Sequence, residues 1–145
     1  MATRAFDELL ASSPAELDAC FGAAPAGAIP DGSARGVALL APGTRAARTL
    51  AAWARTGWQG KTFDRAAGRL RNRLTPFGVL GISAAVREDR SWVDGEPCIV
   101  LDYSTTSWVA RPVRDEIRQV APGLYLGVVF LGRRRLPVRF ALEFR

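Results

Sequence analysis

The period of the hydrophobic pattern changes at Gly57. Before it, apolar residues recur at helical spacing. Ser13, Pro14 and Glu16 spell a capping box with proline at the first helical position, and Leu17, Cys20 and Phe21 follow on one face. Gly22 is placed to stop this helix as its C′ residue. A helical turn is expected around Phe6 to Leu10. The Pro/Gly-rich loop AAPAGAIPDG and a short apolar strand, SARGVALLA, lead to a second helix over TRAARTLAAWART, on which Ala46, Leu50, Trp53 and Ala54 share a face.

Beyond Gly57 the pattern alternates with period two. GWQGKTFD sets Trp58, Gly60 and Thr62 against Gln59, Lys61 and Phe63. GRLRNRL sets Leu70, Asn72 and Leu74 against Arg69, Arg71 and Arg73. FGVLGISAAV reads as an apolar strand, and REDRSWVDGEP as a turn region whose Asp94-Gly95 pair is the strongest hairpin signal in the chain. CIVLDYS places Cys98, Val100 and Asp102 opposite Ile99, Leu101 and Tyr103. VRDEIRQV fits a strand or a helix, with Pro112 suited to a first helical position; a strand is preferred because APG and another strand follow at once. GLYLGVVFLG and LPVRFALEF form a last hairpin, with Val138, Phe140, Leu142 and Phe144 on one side.

The expected fold is mainly β (α+β), a single domain over 1–145. A helical part with one short strand spans 1–56, and antiparallel strands over 57–145 close into a barrel of about eight strands carrying two N-terminal helices. A barrel of that size can hold one small ligand inside.

Composition narrows the chemistry. The chain has 145 residues, 48% hydrophobic and 23% charged, which suits one globular domain. No apolar run reaches the roughly 18 residues of a membrane helix. MATRAFDELLASS lacks the apolar core of a secretory signal, so a cytoplasmic location and no membrane insertion are expected. Cys20 and Cys98 fit no metal spacing and read as buried reduced thiols. There is no histidine, which removes a Ser-His-Asp triad, a Cys-His pair and most zinc sites. No metal and no cofactor are therefore expected. The net charge of +6 comes from arginines spread over the chain. The one tight cluster, Arg133-Arg134-Arg135, falls in the last hairpin turn, so nucleic acid is not an expected partner.

GWQGKTF resembles the WyGKrF segment of small bacterial domains named for a GxWxG motif. DGSARGVAL (31–39) occupies the place of their glycine-bracketed strand, without its tryptophan. The stretch from IVLDYS through RDEIR to LYLGVVF and FALE is similar in order to their companion C-terminal domain. The resemblance spans most of the chain and implies a layout rather than an activity. By analogy the layout is also like that of calycin barrels such as lipocalins and fatty-acid-binding proteins.

Lys61, the single lysine beside nineteen arginines, leads the functional candidates. Inside a barrel it would meet a ligand carboxylate or act as an amine nucleophile; on the outside it is a solvated or paired lysine. Arg114 and Arg118 flank Glu116 on one strand face and would hold an anion from within, or else form an outer charged row. Asp102 in an apolar strand is a candidate acid or base unless an arginine pairs with it. Tyr103 and Tyr125 offer phenols, and Asn72 is the uncharged polar residue between Leu70 and Leu74. Trp58 joins the ligand-contact set, while Trp92 and Trp108 near turns are candidates for the barrel rim. Candidate catalytic residues are thus Asp102, Tyr103, Glu116 and Lys61; candidate ligand contacts are Lys61, Asn72, Arg114, Arg118, Tyr125 and Trp58. The expected function is binding of a small hydrophobic or amphipathic, anionic molecule. A cofactor-independent isomerase, cyclase or hydrolase in the same cavity is the alternative, and a filled structural or partner-binding barrel the third reading. A homodimer is left open.

Overall fold

In the computed structural model, which describes residues 2–74, 79–108 and 110–144, period-two segments become strands that pair with their chain neighbours. The elements run α1 (Ala2–Ala11), α2 (Pro14–Ala23), β1 (Gly32–Leu39), α3 (Ala47–Ala54), β2 (Trp58–Asp64), β3 (Arg69–Leu74), β4 (Val79–Arg90), β5 (Pro97–Asp102), β6 (Val113–Ala121), β7 (Leu124–Leu131) and β8 (Arg134–Phe144). All eight strands are antiparallel in the order β1 to β8, and β8 returns to pair with β1, closing a barrel. The barrel expected from the alternation is borne out, and so is the strand at 113–121.

The strands serve two cores: β1, β6, β7 and β8 contribute to both, and β2 to β5 to the inner one. Phe63, Leu70, Ile99, Leu101, Ile117, Phe140 and Leu142 pack with one another and with no helix, which makes them the barrel interior. Val37, Leu39, Leu124, Leu126, Val128 and Phe130 point outward beneath the helices, against Phe6, Leu9 and Leu10 of α1, Leu17 and Phe21 of α2, and Ala47 and Ala51 of α3. The strands under the helices are thus apolar on both faces, and the helices cover surface that the barrel would otherwise expose.

The described residues form three helices, not two. The turn around Phe6 to Leu10 extends into a full helix because it has the outer core to pack on. The capping box is formed: Ser13 Oγ accepts from the Glu16 amide at 3.1 Å, and the Ser13 amide donates to the Glu16 carboxylate at 2.9 Å. Gly22 does not stop α2. The helix runs to Ala23 and ends at an extended Ala24, whose chain then crosses toward the barrel. α3 is shorter than its pattern, and it buries Ala47 and Ala51 rather than Ala46. The side chain of Trp53 lies outside the described residues.

β4 extends through REDR, which reads as a turn, because Arg87 to Arg90 pair in register with Val100 to Pro97. Phe77 and Gly78, the first residues of the expected strand, lie outside the described residues. Loop 24–31 crosses the barrel end where β6 stops and β7 starts. Ala26 and Ile29 pack on the interior cluster, and Tyr125 donates to the Ala28 carbonyl at 2.6 Å. No helix of the described residues is long and apolar enough to cross a membrane.

Candidate functional site

A polar cluster lies inside the barrel, toward the end where β2 and β6 begin. Lys61 is only 3% exposed. Its ammonium has three N–H groups and meets three acceptors: Asn72 Oδ1 at 2.8 Å, Tyr103 Oη at 2.8 Å and Asp115 Oδ2 at 3.3 Å. Three rings surround it, with the centroids of Trp58, Tyr103 and Phe140 at 5.4–5.5 Å, close enough for cation–π attraction.

Two irregularities in the sheet build this cluster. A bulge between Trp58 and Gly60 inserts Gln59, so Trp58 returns to the face of Lys61 instead of the opposite one that strict alternation assigns it. The indole Nε1 then donates to Asn72 Oδ1 at 3.1 Å. A second bulge falls between Arg71 and Asn72 of β3, facing Ile82 of β4, whose φ of 34° is left-handed. This turns the Ile82 carbonyl to accept from Asn72 Nδ2 at 2.9 Å, and the same amide nitrogen reaches Tyr103 Oη at 3.0 Å. A β-branched residue in that conformation is strained, and bulges of this kind re-aim side chains at functional sites.

Gly60 is the tightest point of the site. Its φ is 144°, and a Cβ there would stand 2.1 Å from the Ala34 carbonyl oxygen and 2.7 Å from the Gly36 nitrogen, both backbone atoms. Gly60→Ala is therefore expected to destabilise the protein by about 2–4 kcal/mol in urea titration. A variant as stable as the parent would show that the bulge is not needed. Gly127 plays a related part, since a Cβ on it would meet the Phe140 ring at 2.2 Å.

Burial sets the protonation of the cluster. Desolvation pushes the Asp115 carboxyl above its ordinary range, and the ammonium of Lys61 offsets this only in part. Desolvation likewise holds the Tyr103 phenol above its usual value despite Lys61 beside it. Burial pulls the Lys61 amine down, but Tyr103 and Asp115 outweigh it, and the amine stays protonated. Lys61 is thus a saturated ammonium and not a free nucleophile. Asn72 is saturated too. Asp115 Oδ2 takes Lys61 and, at 3.4 Å, the Tyr103 hydroxyl, while Oδ1 has no hydrogen-bond partner among the described residues. Asp115 was not among the residues singled out by sequence; its alternation with Ile117 on the face opposite Arg114 was the available signal.

The structure unites Lys61, Asn72, Tyr103 and Trp58 and disperses the other candidates. Tyr125 is interior but at the opposite end, against Phe144 and the Ala28 carbonyl. Asp102 points outward with Cys98 and Val100. Burial there works against its charge, but hydrogen bonds from Ser104 and Arg87 outweigh it and hold the carboxyl below its ordinary value. It pairs with Arg87 at 2.9 Å and takes no part in the interior.

Arg114, Glu116 and Arg118 also face outward, which corrects their reading as an interior anion site. Alternation gives Asp115 and Ile117 the inside, so their neighbours take the outside. There they clamp the β4–β5 hairpin turn. Arg114 donates to the Arg90 carbonyl at 2.8 Å, and Glu116 accepts from Ser91 Oγ at 2.5 Å and the Trp92 amide at 2.8 Å. Arg118 takes both oxygens of Asp94 at 2.7 Å and also reaches the carbonyls of Phe21, Glu96 and Pro97. Trp92 accordingly rests on the outer wall against Phe130, not on the barrel rim.

Fold and site together define an eight-stranded antiparallel barrel with a buried, hydrogen-bonded Lys–Asp–Tyr–Asn cluster near one end. No family model matches the chain, and neither does any of the curated proteins compared. Among solved structures it is similar to a protein from Thermomonospora curvata known from its crystal structure, at 18% identity and a TM-score of 0.63 over 92% of this chain and 88% of that one. At that identity the likeness is one of fold.

Proposed function

We propose that the barrel binds a small amphipathic molecule, with its apolar body among the interior side chains and its polar end against Asp115. The observation that carries this reading is the buried cluster itself: Lys61 and Asn72 are saturated, whereas the hydrogen bonds of Asp115 among the described residues all fall on Oδ2. A buried charged cluster is a poor source of stability compared with apolar packing, which favours a functional reason for it. The anionic ligand end expected from sequence relied on Arg114 and Arg118, which lie outside, and the charge of Lys61 is matched by Asp115. The polar end proposed is therefore a hydroxyl or another hydrogen-bond donor, with an acid group as the contrasting outcome. The analogy with calycin barrels fits this reading, as does a cytoplasmic location for two reduced thiols.

Native mass spectrometry of freshly purified protein tests it. A bound small molecule is expected, retained in the parent and lost in Tyr103→Phe and Asp115→Asn variants that remain folded. Repeated apo masses, with no rise in Tm from long-chain alcohols or acids, would leave a filled structural barrel as the better account.

A second reading has its own support in the raised pKa of Asp115 beside the Tyr103 hydroxyl. A carboxyl whose pKa is raised by burial is a candidate proton carrier, and Lys61 with Tyr103 would stabilise developing negative charge on a carbonyl oxygen. A cofactor-independent isomerase fits these groups. Turnover that falls in Asp115→Asn while the ligand still binds would select this reading over simple binding.

A further inference from the structure

Outside the barrel, the β4–β5 turn, the segment after β5 and the β7–β8 turn enclose a cleft of about 390 Å3. Arg87, Arg111, Arg114 and Arg133 line it with Trp92, and Asp102 is its one acidic residue among the described lining. The arginines are preorganised. Two guanidinium groups lie over Trp92, with Arg114 at 4.0 Å and Arg133 at 4.3 Å from its ring centroid. Arg87 and Arg114 are paired with Asp102 and Glu116, whereas Arg111 and Arg133 make no ion pair among the described residues. A second groove, rich in hydroxyls, continues from the first, sharing Ser104 and Arg111, and holds Thr105, Thr106 and Trp108.

Trp108 is 84% exposed, and Arg111 stacks on it at 4.5 Å. An indole that open has most of its aromatic surface free to stack on a ligand. The guanidinium of Arg111 beside it, and that of Arg133 in the adjoining cleft, supply bidentate donors for phosphate oxygens. Trp92 is different in kind, because Arg114 and Arg133 already lie over its ring.

We propose that this double groove binds a nucleotide, the base stacking on Trp108 and the phosphates held by Arg111 and Arg133. The site is independent of the barrel interior. Its volume suits a small ligand, and the pairing of a π-surface with adjacent cationic forks is the chemistry that recognises a planar base joined to phosphate. The same chemistry is presented by a free nucleotide and by a single strand.

The test measures binding of AMP, ADP, inorganic pyrophosphate and the oligonucleotide dT10 to the full chain at 50 and 200 mM salt. Trp108→Ala, Arg111→Ala and Arg133→Ala alter exposed side chains, so circular dichroism and Tm should stay unchanged. The expected result is that AMP or ADP binds, that Trp108→Ala weakens it about fivefold or more, and that each arginine variant weakens it with a shallower salt dependence. Pyrophosphate should bind more weakly and ignore Trp108→Ala. Affinity for dT10 more than about tenfold above that for AMP assigns the site to a strand, and equal affinity assigns it to a free nucleotide. Absence of binding by all four probes overturns the proposal. So does pyrophosphate binding as tightly as ADP, or nucleotide affinity indifferent to Trp108→Ala.

Discussion

Lys61→Met is expected to remove about 3–5 kcal/mol of stability at pH 7, measured by urea denaturation. The substitution preserves most of the volume but strips the ammonium from Asn72, Tyr103 and Asp115, leaving the Asp115 carboxylate inside an apolar barrel. That is about a fifth or more of the stability of an ordinary domain. The deficit depends on pH, with a definite sign. In the parent, burial already raises Asp115 above its ordinary value of 3.8. Without the ammonium, the folded-state value climbs further. A carboxyl raised in the folded state binds more protons folded than unfolded, so stability falls as pH rises from the unfolded value through the folded one. The variant should therefore be closest to the parent near pH 4 and furthest from it above neutrality. Lys61→Met combined with Asp115→Leu should recover most of the loss, because a buried ion pair and a well-packed apolar pair are nearly equivalent energetically. A single variant with a deficit independent of pH would mean that Asp115 is not the group left unpaired.

Arg118→Met is expected to lower stability by about 2–4 kcal/mol, and to leave any ligand bound inside the barrel within twofold of its parent affinity. Arg118 is fully buried, yet outside the barrel. It joins α2 to the β4–β5 turn through the Phe21 carbonyl, both Asp94 oxygens and the carbonyls of Glu96 and Pro97. The Asp94 side chain is 28% exposed and regains water when the arginine goes, so the loss comes mainly from the abandoned carbonyls. The hydrogen bond from Arg118 also lowers the Asp94 carboxyl. A depressed carboxyl contributes stability above its unfolded value, and that contribution disappears as pH falls through the folded value. Acid unfolding of the variant should be less steep for this reason. Arg118→Lys should restore little, since an ammonium cannot serve the fork of Asp94 and three carbonyls together. A large loss of ligand with unchanged stability would return Arg118 to the binding site.

Much of the architecture is legible in particular residues. The capping box at Ser13 and Glu16 is local chemistry, complete within four residues. The strands announce themselves through alternation, and CIVLDYS and LPVRFALEF divide their side chains between two faces as read. The places where reading fails are those where the chain leaves its period. The bulge at Gln59 and Gly60 carries Trp58 across to the side of Lys61, and period two contains no signal for it beyond a glycine. REDR looks like a turn because it is fully charged, but its backbone pairs with β5 while its side chains face water and one another.

The candidate site was half visible. Lys61, Asn72 and Tyr103 stand out in sequence because each interrupts an apolar or arginine-rich pattern. Asp115 hides inside RDEIR, where three other charged residues draw attention and turn out to clamp a hairpin.

The chain alone determined the number of strands, their antiparallel order and the absence of histidine chemistry, because these follow from local periodicity, turn residues and composition. Only the tertiary structure decided which face of each strand lies inside. A period-two pattern is symmetric under inversion of its faces, and β6 carries buried polar residues on both. Closure of β8 onto β1 and the docking of three helices on β1, β6, β7 and β8 break that symmetry. They place Asp115 with Lys61 in the interior and Arg118 with Asp94 beneath α2.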